Sequence, residues 1–236
     1  MAKARLVLRG FEAPDLGNLE TSSPTATRQS RLLILGIAPT MGWSVVIGDV
    51  KAAFLSGAGF QRKIIVKLPA DCNPLLGASS EGGPAHTRLL KSAYGLADAP
   101  LLWWKDADRR LKGLGWVRHR LDKGMYMLYA RDGLCVALVL HVDDMPIASN
   151  PNKVEVRDNL KRMRKVFNFG KWTELEDGKS LFYCGGKLTS TGNTMTLDFE
   201  DYVKKICPLT IEKGRKTDEK LNERDVSKVR GMIGAL

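Results

Sequence analysis

The feature that most constrains this chain is a pair of adjacent aspartates, Asp143 and Asp144, set between two apolar runs. Residues 134–142 are almost all apolar and give the strongest strand signal in the chain. An apolar run interrupted by two acidic residues predicts a tight β-hairpin with both aspartates at its tip. Two like charges this close repel each other and raise the carboxyl pKa values, and a bound divalent cation removes the repulsion. Taken alone, the pair is also typical of a solvated turn.

A third carboxylate follows a second predicted strand. The compact apolar run Trp43–Ile47 ends at Gly48-Asp49, a pattern that indicates a buried strand. Two strands that each end in aspartate can lie side by side and bring three carboxylates together. Their hard oxygen atoms suit Mg²⁺, and two such ions about 4 Å apart can hold both reacting oxygens of a phosphoryl transfer. Without that partner strand, Asp49 is an ordinary residue at a strand end.

Composition narrows the class of protein. The 236 residues carry a net charge of +11, with a sequence pI of about 9.6, which favours a polyanionic partner such as nucleic acid. The four cysteines have no zinc-ligand spacing and are expected to be free thiols. We find neither an apolar run of the roughly 20 residues that span a bilayer nor a signal peptide. We therefore expect an intracellular protein without a membrane partner.

Strands and helices alternate along the chain, and hairpins recur. A helix is predicted from Thr27 to Met41, and another begins at Asp98 as its N-cap. The apolar stripe of that second helix is predicted to be Leu101, Trp104, Ala107 and Leu111. Residues 181–188 and 194–198 are predicted to form a hairpin. The pattern favours an α+β fold with a largely antiparallel sheet.

Several short motifs occur in an order that resembles the reverse transcriptases of Ty1/copia retrotransposons, and the resemblance covers nearly the whole chain. They are Lys3-Ala4-Arg5-Leu6-Val7 with Gly10-Phe11, Ser23-Pro24, Trp43 followed by Asp49-Val50-Lys51-Ala52-Ala53-Phe54-Leu55-Ser56-Gly57, Leu90-Lys91-Ser92-Ala93-Tyr94-Gly95-Leu96 with Ala99-Pro100 and Trp103 or Trp104, Gly115-Trp116 with Asp122, and His141-Val142-Asp143-Asp144. Each motif alone is weak, whereas the ordered set is specific.

The resemblance implies an RNA-directed DNA polymerase with the palm of a right-hand polymerase, an antiparallel sheet, part of the fingers and an incomplete thumb. Residues 1–200 would form the fingers and palm, and residues 201–236 the start of a truncated connection or thumb region. Further fingers would precede Lys3, and a thumb and ribonuclease H would follow Leu236. The implied partners are an RNA or DNA template with its primer, a deoxynucleoside triphosphate, and the integrase and ribonuclease H of a Pol polyprotein. The implied location is the cytoplasm, a virus-like particle or the nucleus.

The resemblance also implies roles for individual residues. Asp49, Asp143 and Asp144 would be the catalytic carboxylates and, with the backbone carbonyl of Val50, would bind two Mg²⁺ ions, for which Mn²⁺ is an alternative. Phe54 would exclude a 2′-hydroxyl from the incoming sugar, or would be a core phenylalanine. The other implied nucleotide-binding residues are Arg5, Lys3, Tyr94 and Gly95. For Arg5 and Lys3, the alternative is an exposed basic strand.

Three positions depart from the family pattern. His141 stands where the family has tyrosine, and Ala97-Asp98 where it has Lys-Gln. The glutamine would contact the nucleotide, whereas an aspartate would repel the triphosphate unless it caps the helix, which is the role we expect for Asp98.

The alternative function is a decayed, inactive element remnant that still binds nucleic acid. A further alternative is an unrelated Mg²⁺ phosphotransferase with a site of three aspartates. It ranks last, because it would not explain the other motifs.

A helix is predicted to open at Asn150-Pro151, and basic residues are frequent between positions 153 and 171. Its cations Arg157, Lys161, Arg164 and Lys165 mostly avoid the apolar stripe. A polymerase must bind any sequence, so contacts to the phosphate backbone would serve it. The alternative is a solvated helix face, which is common on basic helices.

Overall fold

The structure is a computed structural model that describes residues 6–57, 59–69, 71–72, 86–206, 220 and 222–235. The chain forms two compact units, Met1–Glu174 and Leu175–Leu236. The functional boundary expected at residue 200, between fingers and palm on one side and thumb on the other, stays a prediction. Among the described residues, no helix has both the length and the apolar character needed to cross a bilayer.

Six α-helices are present in the described part of the chain, besides two single-turn 3-10 helices at Gly10–Glu12 and Leu16–Asn18. The α-helices are α1 Arg28–Thr40, α2 Ala53–Ser56, α3 Ala99–Gly113, α4 Val154–Val166, α5 Glu200–Val203 and α6 Glu223–Ala235. Helix α1 begins as the sequence predicts, because Thr27 Oγ1 accepts a hydrogen bond from the Ser30 amide at 3.1 Å. The Asp122 carboxylate in turn accepts from the Thr27 amide at 2.8 Å, which ties this cap to the loop before β5.

Eleven strands complete the described structure. They are β1 Ser44–Val50, β2 Gly59–Lys67, β3 His86–Lys91, β4 Val117–Arg118, β5 Met125–Ala130, β6 Gly133–Val139, β7 Asp144–Ser149, β8 Phe169–Leu175, β9 Ser180–Tyr183, β10 Gly186–Thr191 and β11 Thr194–Asp198. Six of them form one sheet in the order β4-β5-β6-β7-β1-β8, in which the neighbours from β4 to β1 pair antiparallel. Strands β2 and β3 form a second antiparallel sheet. The predicted α+β class with antiparallel sheets is confirmed.

Helices α3 and α4 bury the apolar face of the large sheet. Val50, Met145 and Ile147 of the sheet share one core cluster with residues of both helices, among them Trp103, Leu111, Val156 and Met163. Because side chains alternate along a strand, the neighbours of Val50 and Met145 project from the opposite face. The core thus decides which face of the sheet receives Asp49 and Asp144.

Helix α3 corrects one detail of the predicted apolar stripe. The sequence prediction placed Trp104 in the stripe, whereas the structure buries Trp103 to 2% exposure and leaves Trp104 only partly buried. Ala99, Trp103, Ala107 and Leu111 recur every four residues, so they lie along one line of the helix surface. Trp104 lies beside that line, and its indole donates to the Lys123 carbonyl at 3.2 Å.

The second unit contains a three-stranded antiparallel sheet in the order β11-β10-β9. The predicted hairpin around residues 191–193 is confirmed, with Gly192 in the left-handed region at a φ of 56°. The strand predicted over residues 181–188 is wrong, because a turn divides it into β9 and β10. That turn contains Cys184 and Gly185, both at positive φ, and glycine adopts this conformation without strain.

A prediction about the stability of the core concerns Asn159, a buried residue of α4. Its side-chain nitrogen donates to the Leu114 carbonyl at 2.8 Å, and its oxygen accepts from the Trp116 indole at 2.8 Å. Asn159→Ala leaves both buried groups without partners, so we expect the free energy of unfolding to fall by about 2–4 kcal/mol. Urea denaturation measures the change. Asn152→Ala, an exposed residue before the same helix, serves as the control; equal effects of the two substitutions would contradict the assignment.

Candidate active site

The site begins with the pairing of β1 and β7. Their antiparallel register sets Asp49 directly opposite Asp144, and Gly48 opposite Met145. Directly opposed residues point to the same face of a sheet. Two carboxylates therefore project side by side from the face that α3 and α4 do not cover. Like charges in this arrangement destabilise a strand pair. The repulsion between Asp49 and Asp144 therefore opposes the pairing of β1 with β7.

The hairpin between β6 and β7 brings in the third carboxylate. His141 and Asp144 exchange two backbone hydrogen bonds, at 2.9 and 3.0 Å, so Val142 and Asp143 form a two-residue turn at the tip. The Val50 amide donates to the Asp143 carbonyl at 2.9 Å. Carboxylate oxygens of Asp49, Asp143 and Asp144 all lie within 4.8 Å of one another. The structure thus brings together the three aspartates that the sequence singles out.

The electrostatics of the cluster favour a cation. Burial, and then the negative charges of Asp143 and Asp49, raise the pKa of the Asp144 carboxyl from 3.8 to about 6. Asp49 and Asp144 are half-buried, and Asp143 is exposed. Three hard oxygen donors at this separation fit a divalent cation such as Mg²⁺, which uses few protein carboxylates and keeps its other positions for water and phosphate.

The turn at the tip is strained. Val142 has a φ of 57°, in the left-handed region that a β-branched residue rarely adopts. Such a conformation costs on the order of 1–3 kcal/mol and persists only where the surroundings enforce it. The indole of Trp103 supplies one constraint, because its Nε1 donates to the Val142 carbonyl at 2.6 Å.

The predicted sugar-selecting residue, Phe54, lies on α2, the short helix that follows β1. Its ring is half-buried and meets the Tyr94 ring edge-on, with the centroids 5.8 Å apart. The Ser92 hydroxyl donates to the Phe54 carbonyl. The structure therefore brings two of the predicted nucleotide-binding residues together and holds the backbone of one of them.

Gly95 has a packing reason to be glycine. The Leu8 amide donates to the Tyr94 carbonyl at 2.7 Å, so the N-terminal segment runs directly over this loop. A Cβ on Gly95 would lie 1.9 Å from the Leu8 carbonyl oxygen, and its φ is 91°. A contact with a nucleotide stays a prediction for Tyr94 and Gly95. Lys3 and Arg5 lie outside the described residues.

Asp98 does not cap α3 with its side chain, although it occupies the N-cap position as predicted. Its carboxylate instead accepts a hydrogen bond from Arg62 of β2 at 2.6 Å, and the side chain is only 8% exposed. The same guanidinium reaches Asp15 at 2.9 Å, and this hydrogen bond holds the pKa of Asp15 below its usual value. A sequence-distant arginine thus neutralises the charge that the helix cap was expected to accommodate.

His141, the other departure beside the cluster, adds no positive charge near neutral pH. Burial, and then the nearby positive charge of Arg31, lower the pKa of its imidazole below 6.5. A group of this kind is neutral at pH 7, because its charged form is disfavoured. The histidine thus leaves the charge of the three carboxylates unbalanced.

The predicted nucleic-acid-binding cations of α4 lie apart from the carboxylates. Arg157, Lys161, Arg164 and Lys165 are exposed. The first three line a cavity of about 350 Å³ with Trp172, whose ring lies 5.4 Å from the Arg164 guanidinium carbon. Helix α4 covers the sheet face opposite to Asp49, so the structure does not bring these cations to the cluster. Their contact with nucleic acid stays a prediction.

Sequence reasoning missed Trp103, Ser92 and Arg62 as supports of the site. The four-residue spacing of Ala99, Trp103, Ala107 and Leu111 was a signal for the burial of Trp103. The hydrogen bonds of Ser92 and Arg62 join residues that lie 38 and 36 positions apart in the chain. Such pairs leave no local pattern.

Comparison with known proteins finds similarity to a reverse transcriptase family and to proteins of transposons. A family model described as reverse transcriptase (RNA-dependent DNA polymerase) matches residues 1–219. The retrovirus-related Pol polyprotein from transposon RE2 of Arabidopsis thaliana is 31% identical over 150 residues, 63% of this chain and 10% of that polyprotein. The transposon Ty5-1 protein of Saccharomyces cerevisiae is 29% identical over 161 residues, 66% of this chain and 47% of that protein.

The chain thus spans about a tenth of the plant polyprotein that it matches. A structure of telomerase from Candida albicans in complex with a fragment of telomeric RNA covers 80% of this chain and 37% of its own, with 7% identity and a TM-score of 0.43. This structural similarity is weak, whereas the family match covers most of the sequence. The chain belongs to the reverse transcriptase (RNA-dependent DNA polymerase) family, and its relatives are Pol polyproteins of the Ty1/copia type.

Proposed function

We propose that the chain carries out RNA-directed DNA synthesis as the palm and part of the fingers of a right-hand polymerase. The reaction transfers a deoxynucleotide from its triphosphate to the 3′-hydroxyl of a primer on an RNA or DNA template. The observation that carries the proposal is the convergence of Asp49, Asp143 and Asp144 within 4.8 Å. Membership of the reverse transcriptase family supports the reaction class.

The three carboxylates and the Val50 carbonyl would hold two Mg²⁺ or Mn²⁺ ions. Bound there, such ions polarise the reacting oxygens and neutralise charge on the triphosphate. The protein contributes the fixed geometry: the strand register sets Asp49 against Asp144, and the bond from the Val50 amide fixes the carbonyl of Asp143. Burial, and then repulsion from Asp143 and Asp49, raise the pKa of Asp144, and bound cations would relieve that repulsion.

Phe54 would select deoxynucleotides. Its ring contacts Tyr94, and the hydrogen bond from Ser92 holds its carbonyl. A ring held in this way excludes a 2′-hydroxyl by steric contact. Arg5 and Lys3 would bind the triphosphate, while Tyr94 and Gly95 would line the pocket for template and nucleotide.

The cations of α4 would bind phosphate groups of the primer–template on the side of the sheet away from the carboxylates. Such contacts are independent of sequence and sensitive to salt. In the intact element, the other segments of a Pol polyprotein, including integrase and ribonuclease H, would be partners of this chain.

A decayed copy that binds nucleic acid without extending a primer is the alternative, and the altered residues at positions 97, 98 and 141 favour it. The ion pair between Arg62 and Asp98 counts against it, because the negative charge of Asp98 is matched before any triphosphate arrives. The neutral imidazole of His141 likewise leaves the metal-binding charge intact. Primer extension distinguishes the two.

We expect the protein to extend a DNA primer on an RNA template with Mg²⁺, and Asp143→Asn to reduce extension at least about 1,000-fold, a loss of about 4 kcal/mol of transition-state stabilisation. Asp201→Asn, on the exposed start of α5, is the matched control and is expected to retain activity. No extension by the wild type, together with salt-sensitive binding of primer–template, would favour the inactive remnant. Full activity of the Asp143 variant would refute the site.

A second prediction concerns stability without metal. A carboxyl whose pKa is raised by folding is destabilising once ionised, so the penalty at Asp144 grows above pH 3.8 and is complete above about pH 6. Asp144→Asn removes it, and we expect a gain of about 1 kcal/mol at pH 7.5 in EDTA, since the residue is half-exposed. Thermal unfolding should show a rise in Tm of about 3 °C.

The same experiment has two internal controls. At pH 4 the difference should largely disappear, because the wild-type carboxyl is then protonated. Added Mn²⁺ should raise the Tm of the wild type and leave the variant nearly unchanged, because the cation binds the folded site. A variant that unfolds below the wild type at pH 7.5 in EDTA would contradict the proposed repulsion.

Gly170 of β8 leaves room for the Asp49 carboxylate. A Cβ at this position would lie 2.9 Å from Asp49 Oδ2 and 2.8 Å from Lys51 Cγ. Both are side-chain atoms that can move aside without disturbing the backbone. We therefore expect Gly170→Ala to turn the Asp49 carboxylate away from the cluster while the fold persists.

The expected result for Gly170→Ala is Mn²⁺ binding weakened at least about tenfold, or about 1.4 kcal/mol, with little change in urea denaturation. Gly36→Ala is the matched control, because no atom lies within 4 Å of the added Cβ. It lies in α1, where alanine should add about 1 kcal/mol of stability and leave Mn²⁺ binding unchanged. Unchanged Mn²⁺ affinity in the Gly170 variant would show that the carboxylate does not need this space.

A further inference from the structure

The two peptide groups that flank Asp143 are each anchored to a different element. The Val142 carbonyl, in the peptide group before Asp143, accepts the Trp103 indole N–H of α3 at 2.6 Å. The Asp143 carbonyl, in the peptide group after it, accepts the Val50 amide of β1 at 2.9 Å. Since the two peptide planes on either side of a residue fix its Cα–Cβ direction, these bonds aim the Asp143 side chain.

The donor on the α3 side is rigid. Trp103 is 2% exposed, and its ring meets the Phe167 ring edge-on with the centroids 6.2 Å apart. Both rings belong to the core cluster between the sheet and its two helices. A ring held on all sides has no other rotamer to adopt, so its N–H is directed at one point of the turn.

The turn that carries the acceptor, the Val142 carbonyl, would not keep its conformation without outside contacts. Val142 is β-branched and has a φ of 57°, which places the turn in a conformation that glycine adopts readily and valine does not. Val142 is 37% exposed, so its own packing gives limited support. An external donor on the Val142 carbonyl supplies the constraint that the sequence of the turn lacks.

We propose that Trp103 is a positioning residue of the active site, whose indole N–H holds the strained turn so that Asp143 stays within reach of Asp49 and Asp144. The inference rests on the proposed function, because it assigns the N–H a role in cation binding by these carboxylates. The ring also fills the core, so the test must separate the N–H from the volume of the side chain.

Binding of Mn²⁺, measured by electron paramagnetic resonance on the intact chain, tests the proposal without any turnover. We expect Trp103→Phe to weaken binding about tenfold. Replacement of Trp103 by benzothienylalanine, which keeps the shape of the side chain and lacks the N–H, should weaken it equally and remain folded. Trp104→Phe is the matched control, because it removes an indole that donates to a different carbonyl, that of Lys123; its Mn²⁺ affinity should equal that of the wild type.

Val142→Gly tests whether the indole acts through the strained turn. Glycine favours the positive φ, so the double variant Val142→Gly with Trp103→Phe should recover Mn²⁺ affinity to within about twofold of the wild type. Loss of core packing alone would lower stability in both backgrounds without this rescue. Wild-type affinity in the benzothienylalanine protein, or no rescue by glycine, would overturn the proposal.

The proposed function can fail separately. If the wild type binds no Mn²⁺, or if Asp143→Asn binds it as well as the wild type does, the metal site itself is refuted and the role of Trp103 with it. If the wild type binds Mn²⁺, the Asp143 variant does not, and removal of the N–H has no effect, only the positioning role of Trp103 is overturned.

Discussion

The pairing of β1 with β7 is the constraint on which the rest of the site depends. Its register sets Asp49 against Asp144, and a slip by one residue would turn one of these carboxylates into the core. What prevents the slip is apolar: Val50, Met145 and Ile147 are buried against α3 and α4 on the other face. The hydrophobic core therefore enforces the convergence of charges that would otherwise separate.

A site built in this way works against the stability of its own sheet. Opposed carboxylates and a valine at positive φ are both unfavourable, and each is maintained by contacts outside the site. The bonds from Trp103 and the Val50 amide reach the turn from the helix layer and from the neighbouring strand. The proposed site lies where local preferences and the global fold disagree, as is common for functional sites.

The sequence was sufficient for the parts of the site that are encoded locally. Asp143-Asp144 between apolar runs predicted the hairpin tip, and Asp49 after a buried run predicted the neighbouring strand end. Contacts between distant residues were beyond local patterns, as when Arg62 pairs with Asp98 across 36 positions. The choice between Trp103 and Trp104 was open to sequence reasoning, because the four-residue spacing of apolar residues in α3 favours Trp103. The cations of α4 were read correctly as exposed, but only the fold shows which face of the sheet their helix covers.

The two members of the Arg62–Asp98 ion pair do not depend on each other equally. Arg62 also contacts Asp15, whose side chain is 44% exposed, so this arginine has a carboxylate partner even beside an uncharged residue at position 98. The reverse does not hold: Asp98 is only 8% exposed, and without Arg62 its charge would be buried without this partner. The dependence therefore runs in one direction: Asp98 needs Arg62, whereas Arg62 keeps Asp15 as a partner without Asp98.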